Sequence, residues 1–557
     1  MKNIFLLLTF LCFLSACASY PKQPPAHAVA SAHPAATQAG INILNQGGNA
    51  FDAAVAVSAT LAVVEPFGSG LGGGGFWLLH RASDGKQVMI DGREVAPDSA
   101  HRDMYLDSEG QAIKNASVDG VLSAGIPGLP AALVHLSKHY GSLPLSDSLD
   151  SAIKLARDGF LVGERYHRLA TFRQPVLSAS GSAKNIFLVD GKAPKRGTLI
   201  KQVDLEETLR ALASYGFDGF YRGSVAKKLV NGVQQAGGIW TEKDLSDYKV
   251  KEREPVVIHY KGMKVISASL PSSGGLVLSI TLNILEQYDL DEMDEATRIH
   301  VIVEAMRRAY RERALYMGDQ DFVEVPTGKL AQKSYAKTLA ADLDFNRATL
   351  STELLAVKIT EGEDTTHFSI LDKDGNRVAG TLSINYPFGS GFVPPGTGVL
   401  LNDEMDDFSI KQEVPNVYGL VGGTANAIEP GKRMLSSMSP TFFEMDNKVG
   451  ILGTPGGSRI ISMVLLGILQ AEQDEMPVSW VNSPRFHHQY LPDVIQHEPE
   501  AFSETLDEAL KAKGHTLESV GRDYGDMHAI LWDKKAAKVI TASDRRGEGL
   551  AVSVQIR

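Results

Sequence analysis

Apolar side chains recur at helical spacing along much of the chain, and several of the stretches are rich in alanine. Positions three and four residues apart share one face of an α-helix, so this spacing predicts helices. The polar run from residue 45 to 49, which contains Gly47 and Gly48, supplies the end of one helix and the cap of the next. The predicted helices are residues 35–44, 50–63, 128–140, 146–158, 205–215, 225–235, 274–286 and 295–316.

The last predicted helix is long and heavily charged, with Glu304, Arg307, Arg308 and Glu312 among its residues. Opposite charges three or four residues apart support an exposed helix weakly. We therefore expect the charged positions of residues 295–316 to form a solvated helix face.

The pattern changes to strands after residue 364. Two β-prone runs flank the turn dipeptide Asp374-Gly375, which predicts a β-hairpin. Antiparallel pairing about that turn places Thr365 opposite Ser383, give or take one residue. Because strand side chains alternate between faces, Thr381, Ser383 and Asn385 share one face. From the pattern alone this cluster fits an exposed polar strand face as well as a site.

Composition narrows the class of protein. Hydrophobic residues make up 43% of the 557 residues and charged residues 22%, which is typical of a globular protein. The formal net charge of −11 argues against a nucleic-acid partner, because phosphate binding needs a basic face. The only cysteines are Cys12 and Cys17. The rest of the chain therefore has neither a disulfide nor a Cys-based zinc site.

The first residues read as an export signal. Lys2 precedes an apolar run over residues 4–14, which is too short for a mature transmembrane helix. Residues 14–17 resemble a bacterial lipobox, in which the cysteine is acylated after cleavage. We therefore expect a signal peptide at 1–16, lipidation of Cys17 and a tether at 17–34. Ala18 after the cysteine favours the outer membrane, facing the periplasm.

An ordered set of short motifs resembles the γ-glutamyltranspeptidase family of N-terminal-nucleophile hydrolases. Each motif is weak alone, but the set recurs in order from about residue 35 to the C-terminus. The motifs are residues 70–76, 91–97, 271–275, 364–369, 401–408, 415–420, 435–441, 454–460 and 484–489.

The resemblance implies an α+β fold, a four-layer αββα sandwich built from two chains of one precursor. Cleavage between Asp364 and Thr365 would give a large subunit, 35–364, and a small catalytic subunit, 365–557, which remain associated as a heterodimer. A threonine hydroxyl needs a base, and a threonine at a chain start supplies one, since an α-amino group titrates near pH 7.7–8. Thr365 would then form an acyl-enzyme.

The resemblance also assigns roles around Thr365. Thr381 would orient the nucleophile, and Ser383 stands where many members have threonine. Backbone N–H groups of Gly456 and Gly457 would stabilise the oxyanion, because glycine lets the backbone approach closely.

A γ-glutamyl group ends in a zwitterion, which needs both charges matched. The positions that match the family's carboxylate-binding residues are Arg93, Ser436 and Ser437. Those that match residues around the amino group are Asn385, Glu404 and Asp407. Two plain alternatives remain open here: Arg93 in an ion pair with Glu94 or Asp91, and a solvated acidic loop at residues 404 and 407.

Tyr418 lies in a segment, 409–423, that resembles the lid loop of some members, and its glycines would permit motion. The histidines His367, His487 and His488 show no zinc-motif spacing, so we interpret them as structural and expect neither a metal nor a cofactor. The run Gly72 to Gly75 lacks the pattern of a phosphate loop and predicts a tight packing turn.

The leading hypothesis is a γ-glutamyl hydrolase and transferase acting on glutathione and related compounds, with water or an amino acid or peptide as acceptor. A second keeps the fold but acts as a β-lactam side-chain acylase or a poly-γ-glutamate depolymerase. Arg93, Ser436, Ser437 and Asp407 favour the γ-glutamyl group. A third, an uncleaved surface-binding lipoprotein, is disfavoured by the intact Thr365.

Overall fold

The computed structural model describes residues 23–351, 365–411 and 414–556. The predicted signal peptide, Cys17 and Asp364 lie outside the described residues. None of the described helices combines the length and apolar character needed to cross a membrane.

The strands and helices of the described residues are numbered here in chain order. The strands are β1 Ala26–Ser31, β2 Gly74–Arg81, β3 Lys86–Gly92, β4 Phe160–Leu161, β5 Leu199–Ile200, β6 Lys251–Arg253, β7 Val256–Tyr260, β8 Met263–Ser267, β9 Thr366–Leu371, β10 Arg377–Ser383, β11 Thr441–Glu444, β12 Lys448–Gly453, β13 Phe486–His487, β14 Ile495–His497, β15 Leu517–Ser519, β16 His528–Asp533, β17 Lys538–Ser543 and β18 Leu550–Gln555. The helices are α1 Pro34–Asn45, α2 Ala50–Val64, α3 Leu129–His139, α4 Leu145–Asp158, α5 Glu164–Ala179, α6 Gly181–Phe187, α7 Val203–Tyr215, α8 Phe217–Tyr221, α9 Gly223–Gln235, α10 Glu242–Asp247, α11 Gly274–Leu285, α12 Glu295–Tyr316, α13 Thr327–Leu330, α14 Lys333–Leu339, α15 Ile460–Glu472, α16 Pro477–Asn482 and α17 Glu504–Ala512.

Two large antiparallel sheets form the centre of the described structure. The first has seven strands in the order β18-β1-β9-β10-β2-β3-β6, and the second has six in the order β17-β16-β12-β11-β8-β7. In both sheets, strands from before residue 364 pair with strands from after it: β9 pairs with β1, and β11 with β8. The two predicted subunits therefore share both sheets.

Three apolar cores separate four layers. One core packs α1, α2, α4 and α7 on the outer face of the first sheet. A second packs α11, α12 and α15 on the outer face of the other sheet. Between the sheets lies a smaller core that includes Leu78, Phe442 and Ile530. The predicted αββα sandwich is confirmed.

The predicted helices are present with their ends shifted by a few residues, but the prediction for α12 was wrong in one respect. Glu304, Arg307, Arg308 and Glu312 are buried rather than solvated. Glu304 pairs with both arginines, to Arg307 Nε at 3.1 Å and to Arg308 Nη1 at 2.5 Å. Each buried charge is compensated, which is the condition under which a charged face can be packed inside a protein.

The predicted tether also needs correction, because part of it is folded. Residues 26–31 form the buried strand β1 between β18 and β9, and α1 already begins at Pro34. Half of strand β1 is alanine and Val29 is its only β-branched residue, so it has little of the composition that identifies strands from sequence. Its pairing partners are distant in the chain, so local pattern could not reveal it.

The Gly72 to Gly75 run is a packing element, as predicted. A Cβ atom added at Gly72 would lie 2.0 Å from the Leu400 carbonyl oxygen, and one at Gly73 would lie 2.2 Å from the Ser383 oxygen. The run therefore lets β2 approach the segment that carries Ser383.

Candidate active site

Thr365 lies at the start of the central strand β9. The pairing of Thr366 with Leu382 sets the register of β9 on β10, and this register places Thr365 opposite Ser383, as the hairpin pattern predicts. The Thr365 hydroxyl donates to Ser383 Oγ at 3.4 Å, and the Thr365 residue is only 3% exposed. The nucleophile candidate is thus held on rigid sheet structure.

The other hairpin residues divide between two environments. Ser383 Oγ accepts a hydrogen bond from the backbone N–H of Asn385 at 2.8 Å, so it lies between Thr365 and Asn385. Thr381 Oγ1 instead lies 2.8 Å from His367 Nδ1. Burial lowers the pKa of His367 well below its usual range, so its ring is neutral. The side-chain partner of Thr381 is thus His367, a histidine for which the sequence predicts only a structural role.

The Gly456-Gly457 turn leads directly into α15 through a short 3-10 helix at Gly457–Arg459. Gly456 has φ of 134° and Gly457 has φ of 55°, values that side chains other than glycine rarely adopt. A Cβ atom at Gly457 would lie 2.5 Å from Tyr418 Cδ1, so the Tyr418 ring packs on the bare backbone of the turn. Only glycine can occupy both positions of this turn without strain.

Most of the predicted site residues line one cavity of about 20 Å³, which is room for a single small group. Thr381 and Gly456 lie behind this lining. The lining residues are Arg93, Thr365, Ser383, Asn385, Glu404, Asp407, Tyr418, Leu420, Ser436, Ser437, Met438, Gly457, Ser458 and Ile460. Residues that are far apart in sequence therefore converge on Thr365.

Arg93 is the charged centre of this cavity and is only 1% exposed. Its Nη1 lies 2.5 Å from Glu404 Oε2, and its Nη2 lies 2.5 Å from Asp407 Oδ2. Glu94 lies farther away, at 3.7 Å from Nη1. The ion pair of Arg93 is thus made mainly with the two carboxylates that the resemblance assigns to amino-group binding, and these carboxylates do not form a solvated loop.

Burial raises the pKa of Glu404 to about 7, and nearby Asp407 adds to the rise while Arg93 opposes it. Burial likewise raises the pKa of Glu94 well above its usual range. Glu404 therefore titrates close to neutral pH.

The two serines occupy a segment clamped against residues 271–273. Ser436 N donates to the Pro271 carbonyl at 2.8 Å, and Ser273 N donates to the Ser436 carbonyl at 2.9 Å. Arg313 from α12 donates to Ser273 Oγ at 2.9 Å, a supporting contact that the sequence did not reveal. Ser437 Oγ is buried and has no hydrogen-bond partner among the described residues. Such an unsatisfied hydroxyl in a cavity wall points to a ligand.

Tyr418 covers the cavity. Its hydroxyl donates to the Asn385 carbonyl at 2.7 Å, and only 7% of the residue is exposed. The Tyr418 segment, residues 414–423, therefore contacts both the end of the hairpin and the Gly456-Gly457 turn.

One cluster outside the cavity has metal-ligating residue types. Ligand atoms of His300, Glu304 and His515 lie within 4.8 Å of one another. However, His300 Nδ1 and His515 Nε2 are 2.7 Å apart, and Glu304 already accepts from two arginines and from Thr349. His515 Nδ1 is the one ring nitrogen of the pair without a hydrogen bond among the described residues, and the other facing atoms already bond to one another, so this cluster fits a structural network.

Comparisons with known proteins agree with the geometry. The sequence model of the family described as gamma-glutamyltranspeptidase matches residues 36–554. The glutathione hydrolase proenzyme of Escherichia coli strain K12 is 44% identical over 496 residues, covering 88% of this chain and 85% of that protein. The glutathione hydrolase proenzyme of Pseudomonas aeruginosa is 43% identical over 521 residues, covering 92% of each. The crystal structure of a cephalosporin acylase from Bacillus halodurans superposes with a TM-score of 0.82 at 25% identity and covers 99% of both chains.

Proposed function

Since the chain belongs to the γ-glutamyltranspeptidase family, we propose that it is a self-cleaving γ-glutamyl hydrolase and transferase that uses Thr365 as its nucleophile. Glutathione and related γ-glutamyl compounds are the donors, and water or an amino acid or peptide is the acceptor. The observation that carries this proposal is the convergence of Thr365, Arg93 and Gly457 on one small cavity.

Maturation hydrolyses the peptide bond between Asp364 and Thr365. The Thr365 hydroxyl attacks the Asp364 carbonyl carbon, and the C–N bond breaks as an ester forms. Water then cleaves the ester, which leaves a carboxylate at residue 364 and frees the α-amino group and the hydroxyl of Thr365. The large subunit then ends at residue 364 and the small subunit begins at 365. Strands from both sides of this bond share both sheets, so the two chains stay together as one folded body.

In the mature protein the Thr365 amine removes the proton from the Thr365 hydroxyl as Oγ1 bonds to the γ-carbonyl carbon. The N–H groups of Gly456 and Gly457 stabilise the resulting oxyanion. The amide C–N bond then breaks, and the leaving amine takes the proton. Water or an amine repeats the attack on the ester, which releases glutamate or a new γ-glutamyl amide and restores Thr365.

Binding of the γ-glutamyl zwitterion exchanges internal ion pairs for pairs with the ligand. The ligand carboxylate binds the Arg93 guanidinium and the Ser437 hydroxyl. The ligand ammonium binds the carboxylates of Glu404 and Asp407. Because the ligand end carries one charge of each sign, this exchange leaves the total charge of the cavity unchanged.

The charges that line this cavity match a γ-glutamyl substrate better than a β-lactam side chain without an amino-acid end. Arg93, Glu404 and Asp407 supply a cation and two anions that such an acyl chain would leave without ligand charges. The relatives at 43% and 44% identity are named glutathione hydrolases, whereas the cephalosporin acylase is 25% identical.

We further propose that the protein is exported and anchored in the cell envelope by lipid on Cys17. The support is the short apolar run over residues 4–14 followed by the lipobox-like residues 14–17. A multiply acylated cysteine would give stable anchoring, since one acyl chain binds a membrane only marginally. Metabolic labelling with a fatty acid, lost in Cys17→Ser, tests this step.

The central test is intact mass of the purified protein beside a Thr365→Ala variant, followed by an assay with a γ-glutamyl anilide. We expect two fragments, ending at Asp364 and beginning at Thr365, in the parent and a single chain in the variant. Activity should follow the cleaved form alone. A parent that remains one chain, or an active Thr365→Ala variant, would overturn the proposal.

A further inference from the structure

A chain of buried hydrogen bonds connects α15 to the Tyr418 segment. Ser462, in the first turn of α15, has its Oγ 2.5 Å from His487 Nδ1. His487 Nε2 lies 2.8 Å from Gln489 Oε1. Gln489 Nε2 in turn donates to the Tyr418 carbonyl and to the Leu491 carbonyl, each at 3.2 Å.

Donors and acceptors along this chain have only one consistent order. An amide Nε2 can only donate and an amide oxygen can only accept, so Gln489 Oε1 accepts the proton on His487 Nε2. His487 Nδ1 must then accept from the Ser462 hydroxyl. Burial lowers the pKa of His487 to about 3, with the bond to Gln489 opposing that change, so the imidazole stays neutral. The chain therefore runs without a gap from Ser462 to the Tyr418 carbonyl.

Two members of the chain, His487 and Tyr418, connect it to the Gly456-Gly457 turn and to Ser458 beside it. Ser458, immediately after Gly457, accepts a hydrogen bond from Tyr310 at 2.5 Å, and the Tyr310 ring packs edge-on against His487 at 5.5 Å. At the other end, Tyr418 places its ring on Gly457 and its hydroxyl on the Asn385 carbonyl. The Tyr418 backbone is thus fixed through Gln489, and its side chain through Asn385.

We propose that His487 and Gln489 are positioning residues that hold Tyr418 against the Gly456-Gly457 turn and so retain the γ-glutamyl group during the reaction. The proposal rests on the function given above for Thr365 and this turn. Neither residue lines the cavity, so each acts through Tyr418.

The first test replaces the amide with an apolar side chain of similar length, Gln489→Met. This change removes the hydrogen bond from Gln489 Nε2 to the Tyr418 carbonyl, and Gln489 is not among the residues that line the cavity. We expect KM for a γ-glutamyl anilide to rise about tenfold with kcat changed less than about threefold, because ground-state retention is lost. Amide hydrogen exchange in residues 414–423 should speed up about tenfold, because the segment opens more often.

The matched control is Gln202→Met. Gln202 is also a buried glutamine whose Nε2 donates to a backbone carbonyl, that of Val63, at 2.7 Å. Its loss should change KM and exchange in residues 414–423 by less than about twofold, since it touches neither α15 nor the Tyr418 segment.

A second pair of variants separates positioning from packing at His487. His487→Gln keeps one acceptor and one donor at this position, and His487→Phe keeps a ring of similar size without either. We expect KM close to the parent value in His487→Gln and the tenfold rise in His487→Phe. Equal KM values in these two variants would show that packing alone matters and would overturn the positioning role.

The outcome also separates this proposal from the proposed function. Self-cleavage of each variant is checked on a denaturing gel, and only cleaved protein enters the assay. If the parent itself fails to cleave or to turn over the anilide, the proposed function fails. If the parent is active and Gln489→Met has the parent KM and the parent exchange rates, only the positioning role is wrong.

Discussion

Two buried charge clusters in this protein use the same residue types for different ends. The helix cluster consists of Glu304, Arg307 and Arg308, and the site cluster of Arg93, Glu404 and Asp407. In the helix cluster, both oxygens of Glu304 accept from arginine, and both also accept from Thr349. In the site cluster, neighbouring polar groups remain without hydrogen bonds among the described residues.

The difference lies in how completely each cluster is satisfied. A cluster with all lone pairs engaged stabilises the fold and has nothing to offer a ligand. The site cluster has the Ser437 hydroxyl and both Glu94 oxygens in its surroundings without hydrogen bonds. Buried polar groups in that state are costly unless they find a partner, so these groups are available to bind a ligand that enters the cavity.

The largest expected effect is at the centre of the site cluster. Arg93→Met leaves Glu404 and Asp407 without their cation. It also removes the guanidinium N–H donors that bind the substrate carboxylate. We expect kcat/KM for a γ-glutamyl anilide to fall about 1,000-fold, or roughly 4 kcal/mol. Arg93→Lys keeps the positive charge but not the paired guanidinium donors, so its kcat/KM should lie between those of Arg93→Met and the parent. A fall of less than tenfold in Arg93→Met would contradict the assigned role.

The helix cluster should respond in stability instead. On the single-chain Thr365→Ala background, Glu304→Gln should lower the free energy of unfolding by about 3 kcal/mol, because Arg307 and Arg308 lose their buried partner. Urea unfolding measures this change. Glu295→Gln, at an exposed position of the same helix, should cost under about 0.5 kcal/mol. In the cleaved enzyme, Glu304→Gln should leave kcat/KM unchanged. A large fall in kcat/KM would show that the helix cluster is not purely structural.

Ser437→Ala in the site cavity should change substrate binding but not stability, the opposite of Glu304→Gln. Ser437 Oγ makes no hydrogen bond within the described residues, so its removal should leave unfolding unaffected. Loss of a bond to the substrate carboxylate should raise KM about tenfold. The control Ser439→Ala removes an internal bond, from Ser439 Oγ to the Ser437 carbonyl, and should lower stability without that kinetic effect. Unchanged KM in Ser437→Ala would remove this hydroxyl from the site.

The smallest effect concerns pH. Ionised Glu404 binds the substrate ammonium, and its pKa is raised to about 7, so kcat/KM should rise as pH increases through that value. Glu404→Gln has no carboxylate to titrate at this position, so the rise in kcat/KM near pH 7 should be absent. The remaining rise should then belong to the Thr365 amine, near pH 7.7–8. Superimposable pH profiles for the parent and Glu404→Gln would show that Glu404 does not titrate in this range.

Local pattern predicted eight helices and the hairpin, because spacing and turn chemistry act within a few residues, but it did not predict α5, which contains Pro175. The Asp374-Gly375 turn fixes the register that sets Thr365 opposite Ser383. The burial of α12 escaped prediction, since the groups that satisfy Glu304 include Thr349, which lies far along the chain. Strand β1 escaped for the same reason, because its partners β9 and β18 are distant in sequence.

For the site, the ordered motifs supplied the residues, and the fold supplied their contacts. The pairing of Arg93 with Glu404 and Asp407 could not be read from sequence, because it joins residues more than 300 positions apart. The same holds for His487 and Gln489, whose link to Tyr418 exists only once β13 and the Tyr418 segment are folded.

The sequence by itself determined which chemistry was possible. It contains only two cysteines, both near the N-terminus, and it puts glycine at positions 456 and 457, where the backbone angles are ones that other residues rarely adopt. Only the tertiary structure decided which charged residues line the cavity, as Arg93 and Glu404 do, and which are paired inside the helix layer, as Glu304 is. The physical reason is that charge satisfaction in a protein interior depends on all neighbours at once, and most of those neighbours come from distant parts of the chain.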